Sequence, residues 1–174
     1  MASNLRWCSD ALEIECWNGV RVRMAFAIDA SDREIIAHVA FAGAGISGSD
    51  IRDMMLAAVE RRFGRDRAPH PVEHLSNNGS CYTAKETCDF ATALGLVPCF
   101  TPVRSPESNG MNESFVRTLK RDYVRATPLP DAQTVLGLVA GWITDYNTAH
   151  PHCALRMRSP AEFRKTLNPS RTVR

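Results

Sequence analysis

The sequence predicts an α/β fold, a mixed five-stranded sheet with helices on its faces. Three observations carry that prediction. Before residue 42 the apolar residues alternate with polar ones, and tight-turn signals divide them into three runs. Between residues 50 and 102, helical spacing alternates with short apolar runs. After residue 106 the pattern is helical almost throughout. A chain of 174 residues, 44% apolar and 23% charged, has the composition of one soluble domain with a core of its own.

The elements follow in order. Leu5, Trp7, Leu12, Ile14 and Cys16 mark a strand over residues 5–16, with Asp10 inside it. Asn18-Gly19 is a hairpin signal. Val22, Met24, Phe26 and Ile28 alternate along a second strand from Arg21 to Asp29. Ala30 to Arg33 turns the chain into a third, Ile35 to Phe41, so the opening is an antiparallel meander. Gly43 to Gly48 lacks the G-x-x-x-x-G-K-[ST] phosphate-loop pattern and reads as a connector. Ser49 or Asp50 caps a helix to about Phe63, with Ile51, Met54, Met55, Ala58 and Val59 inward. Val72 to Ser76 is a fourth strand, stopped by Asn77-Asn78-Gly79. A helix over about Ala84 to Leu94 ends at Gly95, and Val97 to Pro102 is the fifth strand.

Ser105 to Gly110 carries turn punctuation in Pro106 and Asn109-Gly110. Helical spacing begins at Met111, with Phe115, Val116, Leu119 and Tyr123 on one side. Glu113 therefore falls in the first turn of a helix, with Arg117 and Lys120 behind it on the opposite face. The plain alternative is a surface ion pair at i,i+4 spacing. Asp131 caps a further helix over Ala132 to Thr148, and a short helix follows at Pro160 to Leu167. Residues 1–150 thus form the core, and 151–174 a basic tail with a short helix.

The net charge of +2 does not by itself imply a nucleic-acid partner, but its distribution allows one. After Phe100 stand eleven Lys and Arg residues against six Asp and Glu, a surplus that permits phosphate contacts. No apolar run is long enough for a membrane span and no leader pattern opens the chain, so a cytosolic protein is expected. The six cysteines form no Cys-x-x-Cys pair and read as reduced packing residues. His150, His152 and Cys153 lack a second ligand pair for structural zinc.

Three positions compete for chemistry: Asp10 on the first strand, Asn77 at the end of the fourth, and Glu113. If the first and fourth strands are neighbours, these side chains converge. Carboxylates gathered in a cleft hold Mg²⁺, and two such ions clamp the attacking and leaving oxygens of an in-line displacement at phosphorus. The plain alternatives are an edge-strand charge at Asp10 and an ordinary turn at Asn77-Asn78-Gly79. Asp29 and Asp32 read as hairpin-turn residues rather than ligands.

Ordered motifs then narrow the choice. Arg6-Trp7-Cys8-Ser9-Asp10, Phe26-Ala27-Ile28-Asp29, Asn78-Gly79-Ser80-Cys81-Tyr82, Arg104 through Gly110, Glu113-Ser114-Phe115, Lys120 to Tyr123, and Tyr146-Asn147 through His150-Pro151-His152 to Ser159-Pro160 all recur in sequence. Together they resemble the integrase-type catalytic core of insertion-sequence transposases of the IS3 group, especially the IS2 kind. The resemblance covers nearly the whole chain. It implies a ribonuclease-H-like sheet, three antiparallel strands followed by two parallel ones. It also implies an Asp, Asp, Glu triad holding two divalent ions, Mg²⁺ or Mn²⁺. The family places 35 residues between its last two acids, and 35 residues lie between Asn77 and Glu113. Asp10, Asn77 and Glu113 therefore take the three triad positions, and Lys120 takes the family's basic position seven residues after the glutamate.

The resemblance implies metal-dependent cleavage and transfer of DNA strands, with transposon ends and target DNA as partners. Lys120 and Arg117, with Arg121 and Arg104, would contact the DNA backbone. The chain departs from the family at Asn77, where an amide stands in place of the second carboxylate. An amide brings no charge and one neutral oxygen, so weakened metal binding and weak or absent strand transfer are expected. The alternative is a non-catalytic DNA-binding or dimer-interfering remnant. Family members also carry helix-turn-helix segments ahead of the core. Specific recognition of transposon ends would need such a segment, on a homo-oligomer's own chains or on a separate subunit.

Overall fold

Strand β1 (Arg6–Glu15) is the middle of the sheet because its first half is apolar on both faces. Trp7, Cys8 and Ser9 are all buried in sequence, and only from Leu12 does burial alternate. The computed structural model describes residues 2–43, 45–101 and 106–167, at 106–109 the backbone alone. β2 (Arg21–Asp29) and β3 (Ile35–Ala42) complete an antiparallel meander with β1. β4 (Val72–Ser76) and β5 (Leu96–Phe100) add in parallel, giving the order β3-β2-β1-β4-β5. The predicted mixed sheet, three strands antiparallel and two parallel, is the observed one.

Each face of the sheet carries its own core. On one side Trp7, Ala25, Ala27 and Ile36 pack under helix α1 (Gly48–Phe63). The short α2 (Ser80–Thr83) and α3 (Lys85–Ala93) lie on the same side, contributing Tyr82 and Ala91. On the other side Cys8, Leu12, Ile14, Met24, Phe26 and Ile28 meet α4 (Pro106–Thr118) and α5 (Ala132–Thr148). Phe115 of α4 sits edge-on between Phe26 (4.6 Å) and Tyr146 (4.9 Å), fastening that helix to the sheet. A last helix, α6 (Pro160–Leu167), returns Arg164 to pair with Glu34.

Several boundaries differ from the sequence reading. Ser47 caps α1, not Ser49 or Asp50. Asp50 instead closes a reciprocal capping box with it, its N–H donating to Ser47 Oγ at 3.2 Å. α2 was not expected. Its buried Tyr82 explains it, because the phenol hydrogen-bonds Ser9 Oγ at 2.9 Å beneath β1. β5 runs Leu96–Phe100 rather than Val97 to Pro102.

The largest difference is in α4. The helix begins at Pro106, more than a turn before Met111, and Asn109-Gly110 lies inside it. Proline at the first helical position is pre-shaped for a helix, and the packing of Phe115 and Leu119 outweighs the turn propensity of Asn-Gly. Glu113 is therefore mid-helix, not in the first turn. After Thr118 the helix widens into a π-turn over Leu119–Val124.

Candidate active site

The parallel pairing of β1 with β4 brings the first two positions together. That register runs Trp7↔His74 and Cys8↔Leu75. Asp10 and Asn77 each lie two residues further on, at the same level and on the same face. Asp10 shares its face with Cys8 and Leu12, so it points toward α4. Its antiparallel partner is Phe26, the residue on which Phe115 seats α4. Glu113 precedes Phe115 by two residues, nearly opposite on the helix, and is exposed.

Asn77 Nδ2 donates to Asp10 Oδ1 at 3.0 Å, while Asn77 Oδ1 accepts the Gly79 N–H at 2.8 Å. These partners settle which way the amide faces, since a backbone donor requires the oxygen and a carboxylate requires the nitrogen. Gly79 is needed here, because a Cβ at that position would stand 2.8 Å from Asn77 Oδ1. Asp10 Oδ1 also accepts the Ala11 N–H at 2.8 Å. Burial lifts the Asp10 carboxyl above its ordinary range. The Ala11 and Asn77 hydrogen bonds oppose that rise, and the charge of Glu113 adds to it. The charge of Glu113 is thus felt at Asp10, while Asp10 and Asn77 are in direct hydrogen-bond contact.

The amide does electrostatically what a cation does in a carboxylate pair. An aspartate at 77 would keep the Gly79 bond through one oxygen and turn the other toward Asp10. Two unit charges about 3 Å apart repel by roughly 5 kcal/mol at an effective dielectric of about 20, which a bound cation must offset. Here the Nδ2–H group removes that demand. Asn77's one oxygen is already engaged by Gly79. The residues present therefore do not fit a two-cation centre. Of the three positions only Asp10 and Glu113 carry carboxylates, and among the described residues no group of three or more His, Cys, Asp or Glu side chains is placed to bind a metal.

The basic residues separate. Arg117 is exposed on α4, one turn after Glu113. Lys120 falls in the π-turn, in a cleft with Glu13, Arg21 and Arg125, and its charge is felt at Glu13. Arg121 is engaged by Asp122, its Nε donating at 2.6 Å and a terminal nitrogen at 2.8 Å. Arg104 lies outside the described residues.

Sequence reasoning missed the partners of Asp29 and Asp32. Asp29 ends β2 and Asp32 lies in the turn after it, yet their carboxylates are buried with Glu34 around the buried side chain of Arg62. It also missed Arg33, which takes a left-handed backbone (φ 64°) beside His152 and Tyr146. The dipeptide pattern around these residues is that of any polar turn, so no local signal distinguished them.

Comparison with known proteins bears on the family and the fold. One integrase core domain model matches residues 1–106 and another matches residues 94–160. An uncharacterized protein of insertion element IS136 from Agrobacterium fabrum is 68% identical over 94% of this chain and 84% of its own length. A transposase InsD of insertion element IS2 from Escherichia coli is 53% identical over 92% of this chain, which spans 53% of that protein. Among solved structures, the catalytic core of BIV integrase superposes with a TM-score of 0.60 at 17% identity, covering 95% of this chain and 97% of that one. The Mos1 transposase catalytic domain, solved with raltegravir and Mg, gives 0.62 at 16% identity, covering 81% and 71%. At those identities the two structures speak for the ribonuclease-H-like fold alone. Family models matching residues 1–106 and 94–160, with relatives above half identity, go further: this chain belongs to the integrase core domain family, as a transposase-type catalytic core.

Proposed function

We propose that this core binds DNA along the α4 face bearing Arg117 and Lys120, and that its strand cleavage and transfer are weak or absent because Asn77 occupies the second ligand position. One observation carries the reading: the Asn77 amide donates to Asp10 Oδ1 at 3.0 Å and spends its oxygen on Gly79. A divalent ion, Mg²⁺ or Mn²⁺, would be held by Asp10 and Glu113 with lowered affinity, in a family whose chemistry relies on such ions to polarise the reacting oxygens. Residues 1–150 serve as the core and 151–174 as its basic tail. Transposon ends and target DNA are its substrates in the bacterial cytosol, and a homo-oligomer or a separate helix-turn-helix subunit supplies sequence recognition. No helix among the described residues is long and apolar enough to cross a membrane.

The test compares the parent chain with Asn77→Asp in Mn²⁺-dependent nicking and joining of transposon-end DNA. Activity confined to Asn77→Asp is the expected result, and equal activity in the parent would overturn the impairment. A second reading, a DNA-binding remnant without chemistry, draws on the same amide. It gains if Asn77→Asp stays inactive while both proteins bind DNA in a salt-sensitive way.

A further inference from the structure

A cleft of about 560 Å³, whose described lining includes neither Asp10 nor Asn77, opens between α4, the end of β2 and the loop at residues 150–154. Ser114, Thr118 and Arg121 line it from the helix, spaced along one face adjacent to that of Glu113 and Arg117. Arg33, His150 and His152 line it from the other side. Among the described lining residues there is no Asp or Glu. Asp122, beside two of the lining residues, is taken up by Arg121 and lies 3.9 Å from His150.

Arg33 is the telling residue. Arg61, Arg62 and Arg164 stand on the same side of the sequence's acid-rich turn, and each is paired with Asp32 or Glu34. Arg33, within that same turn, makes no ion pair among the described residues, and its Nε is buried without a hydrogen-bond acceptor. Its charge is felt at Cys8, Tyr146 and His152, so the guanidinium lies against the cleft wall and not among the turn's acids. Burial, with His150 and Arg33 beside it, pushes the His152 ring down to about 4, so that ring brings no neutralising or added charge at neutral pH. A half-buried guanidinium without a counter-charge is costly and is compensated when an anion enters. The hydroxyls of Ser114 and Thr118, which no protein group engages among the described residues, are donors for its oxygens.

We propose that this cleft is a second DNA-contact site, taking one backbone phosphate of the strand that runs past Glu113, with Arg33 supplying the charge and Ser114 and Thr118 the hydroxyl donors. It rests on the DNA-binding reading above and adds a contact that the Arg117–Lys120 face does not provide. The ligand chemistry is a phosphate group, and the experiment separates a DNA phosphodiester from free inorganic phosphate.

The experiment titrates the full chain, Arg33→Gln and Thr118→Glu with a short fluorescent duplex over a range of salt, and follows amide shifts on adding the duplex or sodium phosphate. Arg33→Gln is expected to weaken duplex binding roughly threefold to tenfold and to lower the salt slope by about one. Thr118→Glu, which adds a negative charge to the same wall without touching Arg33, should weaken binding in the same way. Duplex-induced shifts should appear at Arg33, Ser114 and Thr118. Unchanged binding in both variants, each folded by its unfolding midpoint, overturns the site while leaving DNA binding by the chain intact. Shifts at these residues with phosphate but not with duplex overturn the DNA assignment in favour of a free anion. A parent chain that binds no duplex even at low salt removes both the cleft and the function it rests on.

Discussion

Two groups of acids, one at the β2–β3 turn and one shared between β1 and α4, have opposite surroundings. At the β2–β3 turn, Asp29, Asp32 and Glu34 are buried and answered by cations. Arg62 gives Asp32 two bonds of 2.9 Å and approaches Glu34 at 3.1 Å, and Arg61 reaches Glu34 at 2.8 Å. In the second group, Asp10 on β1 and Glu113 on α4 have no arginine or lysine partner among the described residues, and there Asp10 accepts only from an amide and a backbone N–H. Acids whose charge is cancelled by neighbouring side chains hold a fold together. Acids left under-compensated beside solvent are where an outside cation can act. The distinction is one of neighbours, not of residue type.

The sharpest way to break that comparison is to remove the cluster's buried cation. Arg62→Met leaves three buried carboxylates with only the more exposed Arg61 and Arg164 beside them, and a cost of about 3–5 kcal/mol in urea unfolding is expected. A loss under 1 kcal/mol, about the worth of a surface pair, would show the cluster to be no more than that.

Next in size is the site itself. Without divalent ions, Asn77→Asp should lose about 1–3 kcal/mol, because a hydrogen bond becomes a carboxylate repulsion. Adding Mn²⁺ should then raise its unfolding midpoint and leave the parent's nearly unmoved. A Mn²⁺ response as large in the parent would mean that the amide does not replace a cation.

The smallest expected effect is in pH. Burial and the Glu113 charge raise the Asp10 pKa, so the folded state disfavours its ionised form. The stability tied to Asp10 is then full below the unfolded value of about 3.9 and is lost as pH rises through the raised folded value. Asp32 behaves in reverse. Burial raises it, but the hydrogen bonds and charge of Arg62, with Ser3 and the Glu34 N–H, outweigh burial and hold it low. Its contribution is present above the unfolded value and is lost as pH falls through the depressed one. Comparing parent and Asp10→Asn unfolding from acid to neutral pH should show the variant gaining on the parent as pH rises. A variant that falls behind would place Asp10 among compensated acids.

Much of this was legible in the chain. β2, β4, α5 and α6 begin and end where alternation, turn residues and the Asp131 cap place them, because those signals are local. The meeting of Asp10 with Asn77 was legible through motif spacing and the resemblance. α4 was misjudged at its start because Asn109-Gly110 favours a turn in isolation, while the aromatic contacts of Phe115 are made with residues far away in sequence. α2 was invisible for the same reason: four residues carry no periodicity, and Tyr82 is held by Ser9, 73 positions earlier.

By itself the sequence determined the order and type of the strands, the two apolar faces of the sheet and the amide at position 77. Each of these depends on a residue and its near neighbours. Tertiary structure alone decided which way that amide faces, which acids are cancelled by arginines and which are not, and that Arg33 stands beside a cleft without a counter-ion among the described residues. Coulomb and hydrogen-bond energies depend on separations of a few ångströms, and for these groups folding sets those separations between residues tens of positions apart.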